Sequence, residues 1–194
     1  DISLRNGNNQ TDEYSFQFGI LGTDLAAEGP FSKNYEGSYL VNYRYSTLDL
    51  LDKVGINLAG DVVPKYQDLS YKLYLPTNKF GRFSIWGLGG ISEATEETDV
   101  SEMKVAATGI THLYFLDDKS YIKSVLAYSG NQSIDAGYFY DTTNVLIQDD
   151  EQDYRLSTLR GSILYKRKFS PKLSVKSGIV LSHLMFNYYA KNIY

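Results

Sequence analysis

The chain has no cysteine. That single absence removes disulfide frameworks, thiolate metal sites and cysteine nucleophiles. Histidine is nearly as scarce. The two present, His112 and His183, fall on different predicted strands, where an isolated ring is a wall or rim residue far more often than a ligand. No Ser–His–Asp elbow, HExxH helix or P-loop occurs. The glycine-rich run Gly87-Leu88-Gly89-Gly90 lies in a predicted strand without the following helix that phosphate binding needs, so close packing or bending of a sheet explains it better. The expectation is a protein that is not an enzyme and holds no resident cofactor.

Long apolar runs are missing too. The longest stretch free of Asp, Glu, Lys and Arg is Ser177 to Ala190, short of the roughly 18 apolar residues of a spanning helix. Mean hydropathy is −0.31. If the chain crosses a membrane, it does so with strands. The net charge of −4 and the lack of a basic stripe argue against nucleic acid as a partner. No signal peptide is visible, and a start at Asp1 without Met reads as something other than an intact precursor.

What is abundant is tyrosine. Aromatics make up 14 % of the residues, and 18 of them are Tyr. A ring half apolar and half wet suits a membrane interface or a barrel rim, and equally a Tyr-rich β-sandwich. The rest of the pattern is extended. Segments of about ten residues alternate apolar and polar side chains and are separated by turn-formers. Tyr39, Val41, Tyr43 and Tyr45 oppose Asn42, Arg44 and Ser46. Leu69, Tyr71, Leu73 and Leu75 oppose Asp68, Ser70, Lys72 and Tyr74. Leu159, Gly161, Ile163 and Tyr165 oppose Arg160, Ser162 and Lys166. Val175, Ser177, Ile179 and Leu181 oppose Ser174, Lys176 and Gly178. Only Thr47 to Leu58 has helical spacing, and Gly55 interrupts it.

Alternation alone fits a soluble sandwich or a membrane barrel, so the connections must discriminate. Ser32–Gly37, Pro76–Gly81, Leu116–Ser120 and Phe169–Lys172 are short. Asp49–Lys65, Ser92–Glu102 and Asp141–Asp153 are long and polar, and are expected to be external loops. Short turns on one side and long loops on the other mark an outer-membrane meander rather than a Greek-key sandwich. The expected strands are Asp1–Asn8, Glu13–Gly29, Ser38–Leu48, Tyr66–Leu75, Arg82–Ile91, Met103–Phe115, Tyr121–Phe139, Asp153–Phe169 and Leu173–Lys191. That odd number predicts a sheet that does not close on itself, because single-chain bacterial barrels have even numbers of strands.

The stretches Ile2–Gln10, Tyr14–Phe31, Gly37–Leu51, Tyr66–Thr77 and Phe83–Ser92 resemble, in order, the region just after the plug in TonB-dependent receptors of the Bacteroidetes type. The resemblance covers nearly half of the chain; beyond Ser92 it rests on strand rhythm. It implies an all-β, transmembrane antiparallel meander, the first strands of a barrel of about 22 strands in the bacterial outer membrane. It implies energy-coupled uptake of a nutrient: a glycan, peptide, siderophore or cobalamin. The implied partners are outer-membrane lipid, the plug domain and TonB, the latter two through parts not in these residues, and a surface lipoprotein is a further one the resemblance allows. Asn42, Arg44, Asp68, Ser70, Lys72, Arg160 and Lys166 would face the lumen, against plug or substrate path. Tyr39, Val41, Tyr43, Tyr45, Leu69, Tyr71, Leu73, Ile163 and Tyr165 would face lipid. A soluble or surface β-sandwich that binds a partner, and a small complete barrel, are the competing readings.

Acidic residues give the remaining candidates. Asp24 and Glu28 share one strand face at a separation of about 13 Å, too far for paired acid–base work, with a bulge expected near Gly22 to correct the apolar phase of Phe16, Phe18 and Ile20. Glu93, Glu96, Glu97, Asp99 and Glu102 form one acidic cluster, and Asp141, Asp149, Asp150, Glu151 and Asp153 a second. Asp149, Asp150, Glu151 and Asp153 are weak Ca²⁺ candidates, since carboxylate oxygens suit hard cations, but EF-hand spacing is lacking.

Overall fold

A computed structural model of the chain describes residues 4–56, 65–96 and 98–192. Nine antiparallel strands follow one another in a single sheet: β1 (Glu13–Phe18), β2 (Thr23–Ser32), β3 (Tyr35–Tyr45), β4 (Lys65–Pro76), β5 (Arg82–Glu96), β6 (Asp99–Asp117), β7 (Ser120–Tyr140), β8 (Leu146–Lys168) and β9 (Ser174–Asn192). Each pairs with the next in sequence and β1 does not meet β9, so the sheet is an open meander. A short helix, α1 (Thr47–Lys53), sits between β3 and β4. Among the described residues no helix is long and apolar enough to cross a membrane.

The helix forms where capping chemistry allows. Ser46 accepts a hydrogen bond from the Asp49 N–H at 3.3 Å, Asp49 lies in the first turn, and Lys53 in the last turn pairs with it at 2.9 Å. The chain leaves the helix at Gly55, with φ of +83°. The predicted helical spacing ran to Leu58; residues 57–64 lie outside the described residues.

The expected and observed strand counts agree through two offsetting differences. Residues 4–12 form no strand, and Asp1 to Ser3 lie outside the described residues. Glu13–Gly29, expected as one strand, is two: the chain reverses at Gly19–Gly22, where the Gly19 N–H donates to the Gly22 carbonyl at 3.0 Å. The phase slip expected at a bulge is thus a turn. Asp24 and Glu28 still share a face, as the pairings Asp24–Arg44 and Glu28–Leu40 show.

The long polar segments also differ from expectation. Ser92–Glu102 and Asp141–Asp153 are mostly strand, not loop. The β5–β6 hairpin stays paired out to Glu96–Asp99, and β7 and β8 run 21 and 23 residues. Polar side chains on both sides of a strand mask its alternation, but cross-strand hydrogen bonds hold it extended. Ser101 Oγ donates to Asp135 at 2.7 Å, and Gln132 Nε2 to Asp153 at 3.0 Å.

Among the described residues no apolar side chain is buried. The fully buried side chains are polar: Ser38, Ser46, Thr47 and Asp49, all near β3 and α1. The molecule is one layer thick, so its packing lies within the faces of the sheet. On one face the Tyr71 ring lies across Gly87 and reaches Thr108 on the next strand, the two hydroxyls 3.1 Å apart. A Cβ on Gly87 would sit 2.6 Å from the ring. On the other face Trp86 covers Gly109, and its Nε1 donates to Thr111 at 3.2 Å. Gly87 and Gly109 are thus where aromatic rings lie against the backbone.

Gly87→Val should push the Tyr71 ring off the sheet and break its contact with Thr108. We expect a loss of about 1–3 kcal/mol from overpacking, read by urea unfolding of the folded protein, with Gly130→Ala, which has no contact closer than 3.6 Å, as the near-neutral control.

Candidate functional site

Register assigns every strand residue to one of two faces, because directly paired residues share a side. Tyr39, Val41, Tyr43, Tyr45, Leu69, Tyr71 and Leu73 are paired in sequence across β3 and β4 and lie on one face. The ladder β4–β5–β6–β7–β8 carries that face to Tyr165 and Ile163, which pair with Ile122 and Ser124. Asn42, Arg44, Asp68, Ser70 and Lys72 lie on the opposite face, as do Arg160 and Lys166, paired with Ala127 and Tyr121.

The first face carries a belt without charge. Residues 67–75 of β4, 83–91 of β5, 106–114 of β6, 122–130 of β7, 157–165 of β8 and 177–185 of β9 place no Asp, Glu, Lys or Arg on it. Nine residues of strand cover about 26 Å along the chain. The window moves by one register row between β5 and β6, as a level belt does when it crosses tilted strands. Ile163 is 61 % exposed, Ile179 70 % and Leu181 72 %. Small residues within the belt, among them Ser124, Gly161 and Ser177, leave a hollow of about 760 Å³ walled by Ile110, Leu126, Ile163 and Leu181.

Beyond the belt the same face turns charged within one or two rows on β4, β5, β6 and β8, while β7 and β9 continue with Gln132 and Asn187. Lys65 and Glu93 are direct partners and pair at 3.0 Å. Lys104 meets Glu102 at 2.7 Å, and Arg155 meets Asp153 at 2.5 Å. The Arg155 guanidinium, helped by Gln132, holds the Asp153 carboxyl below the usual carboxylate range. The belt's other margin is aromatic. Phe83 stacks on His112 with centroids 4.3 Å apart, His112 Nε2 lies 2.7 Å from the Phe80 carbonyl, and Phe31 packs against Tyr39 at 6.0 Å. His183 is on the same face, opposite Leu159 in β9, with β7 and β8 between it and β6.

The second face mixes charges with apolar residues such as Leu88, Leu164 and Phe186. Arg44 faces Asp68 directly; its Nη2 lies 2.7 Å from Oδ2, and its guanidinium lies 5.3 Å from the centre of the Tyr66 ring. Arg160 Nε donates to Ser182 at 3.1 Å, and Lys166 lies directly opposite Lys176. Residues 4–8 cross this face. Lys72 donates to the Leu4 carbonyl at 2.6 Å. The Arg5 guanidinium grips both oxygens of Glu28, which also accepts the Asn8 N–H at 2.7 Å. Gly7 lies so close to β3 that a Cβ would sit 2.0 Å from the Tyr39 carbonyl oxygen. The chain therefore reaches the sheet from its charged side before turning into β1.

Sequence reading singled out Glu28 but missed its partners Arg5 and Asn8, because nothing marks a segment that lies on a sheet rather than in it. In the sequence Glu102 and Asp153 were placed in acidic clusters, and Lys104 and Arg155 were not singled out; the signal that could have found the pairs is the point where an apolar alternation breaks into charge. The Ca²⁺ candidates do not converge. Asp150 and Glu151 point to opposite faces, and Asp153 is held by Arg155 and Gln132. No group of three or more possible metal ligands occurs among the described residues. Glu97 and the Glu96 side chain lie outside them. Asp141 closes the β7–β8 loop by accepting the Thr143 and Val145 N–H groups, both at 2.8 Å, and the Val145 N–H first, then Thr143, hold its carboxyl below the usual carboxylate range.

Comparison with protein-family models, with curated proteins and with solved structures finds no match.

Two outcomes are expected here. Glu28→Ala should free residues 4–8, seen as fast hydrogen exchange at the Asn8 amide where the parent is protected, with the sheet amides unchanged. A carboxyl lowered by folding contributes stability above its unfolded pKa and loses it as pH falls through the folded value. Order in the 141–145 loop should accordingly be constant at neutral pH and lost on acidification below the ordinary Asp range, followed by the Thr143 and Val145 amide shifts; Asp141→Asn should remove the transition.

Proposed function

We propose that this sheet is a stretch of the wall of a bacterial outer-membrane β-barrel, and that the barrel is a TonB-dependent receptor importing a nutrient. The observation that carries the first part is the uncharged belt. An apolar sheet face in water needs a cover, and the described chain supplies none. Two kinds of cover are available, a second protein layer or lipid. A protein layer follows the shape of a fold, whereas lipid imposes one height on every strand. The belt stays within one register row across six strands, ends in paired charges on β4, β5, β6 and β8 and in an aromatic margin on the other side, and matches the 9–11 residues of a transmembrane strand.

On this reading Tyr39, Val41, Tyr43, Tyr45, Leu69, Tyr71, Leu73, Ile163 and Tyr165 contact acyl chains. Asn42, Arg44, Asp68, Ser70, Lys72, Arg160 and Lys166 face the lumen. The segment 4–8 arrives from the lumen side, which suits a chain that passes from a plug into the wall. The long β5–β6 and β7–β8 hairpins then stand outside the membrane, where nutrient capture occurs. Assignment to TonB-dependent receptors, and with it energy-coupled uptake of a glycan, peptide, siderophore or cobalamin, rests on the sequence resemblance of residues 2–92.

Because the chain lacks cysteine, single cysteines report cleanly. Leu73→Cys, Ile85→Cys and Ile163→Cys should be quenched by lipid-borne nitroxide and resist a charged maleimide in bilayers. Ser70→Cys and Ser162→Cys should do the reverse. Burial of the first set in lipid-free, folded protein would favour a soluble sandwich instead. Energy coupling predicts nutrient uptake that disappears in cells lacking TonB.

A further inference from the structure

The two ends of the sheet carry opposite charge. At one end the four connections are Lys33–Asn34, Thr77–Gly81, Asp118–Lys119 and Phe169–Leu173. Each contains one lysine, Lys33, Lys79, Lys119 or Lys172, and all four are exposed. Three of the turns have a phenylalanine close by, Phe31, Phe80 or Phe169; at the third turn the nearby ring, Tyr121, lies on the face opposite the belt, beneath Lys166. Phe80 and Phe169 are 70 % and 57 % exposed, and the Arg167 guanidinium lies 5.4 Å from the Phe169 ring centre. None of the four lysines, nor Arg167 or Lys168, forms an ion pair with a described residue. The acids toward this end are Asp12, Glu13 and Glu28 at the start of β1 and beside it in β2, with Glu36, Asp117 and Asp118. Glu28 is held by Arg5 and the Asn8 N–H, and Asp117 accepts the Lys119 N–H at 2.8 Å. At the opposite end the balance reverses. Asp49, Asp99, Asp135, Asp141, Asp149 and Asp150 gather at or beside its connections. Of its cations, Lys53, Lys65, Lys104 and Arg155 are paired, while Lys191 stands opposite Glu151 without an ion pair to a described residue.

We infer that the lysine-bearing turns dock on the phosphates of anionic phospholipid headgroups, so that this end lies against an anionic phospholipid leaflet. The inference rests on the membrane reading proposed above. An exposed ring at the edge of an uncharged belt sits at headgroup depth, and a lysine beside it is held at the phosphate plane. Cations without partners in the protein are free to pair there, whereas the acidic end would be repelled. The four turns differ in length and sequence, and a lysine's charge and reach are what they have in common.

The test compares insertion of the full-length barrel protein that carries this sheet into phosphatidylcholine vesicles with insertion into vesicles containing phosphatidylglycerol as a minor component. The readout is protection from protease together with strand content. The parent should insert at least roughly fivefold more favourably with phosphatidylglycerol, and high salt should remove the advantage. The combined variant Lys33→Gln, Lys79→Gln, Lys119→Gln and Lys172→Gln should lose the advantage while inserting into phosphatidylcholine as the parent does. A control with Lys53→Gln, Lys65→Gln and Lys104→Gln, at the other end, should keep it. The proposal is overturned if the parent shows no preference, if the turn variant keeps it, or if the control loses it equally. Failure of the parent to insert into either vesicle would instead overturn the membrane reading itself.

Discussion

A sheet one layer thick has no interior, and every other feature of this protein is arranged around that constraint. Backbone groups are satisfied strand to strand, so what remains exposed is a broad apolar face that no described element covers. Its residues are ordinary core residues, Leu, Ile, Tyr and Phe, displayed outward. The cover must therefore be apolar and of limited height, since charge resumes at Lys65, Glu93, Lys104 and Arg155 in nearly the same register rows.

Past that boundary the strands continue without a cover of any kind. β7 and β8 extend well beyond the belt, through polar rows around Gln132, Asp135, Asp150 and Asp153 to an apolar tip where Phe139 faces Ile147 and Tyr140 faces Leu146. Cross-strand bonds between side chains replace packing as the source of order, with Gln132 on Asp153 and Ser101 on Asp135. The opposite end is trimmed to turns of a few residues. The sheet is thus graded along its strands, from tight cationic turns through an uncharged belt to long acidic hairpins, and each zone suits a different medium.

Alternation was readable wherever only one face is polar. Every residue assigned to a face in β3, β4 and β8 lies on the side expected, because a period of two leaves no freedom once the strand exists. Where both faces are polar, as in 92–102 and 141–153, the same rule had nothing to detect and extended hairpins read as loops. Gly19–Gly22 was hidden for a related reason. A tight turn flanked by apolar residues keeps the hydrophobic run continuous, so two strands read as one with a phase error. The helix at Thr47–Lys53 was legible from its spacing, and its Ser46 cap fits the same local rule.

The sequence by itself determined that this is a cysteine-free, β-rich chain with strands apolar on one side and short turns at alternate connections. Those are consequences of local geometry, set by residues two to five positions apart. Only the tertiary structure decided that the uncharged stretches of six strands lie side by side, that Lys65 and Glu93 pair across two strands at their edge, and that residues 4–8 lie on the charged face under the grip of Glu28 and Lys72. Each depends on register between residues tens of positions apart. Register is fixed by the whole ladder at once, and a one-residue slip in any strand would reverse every face beyond it.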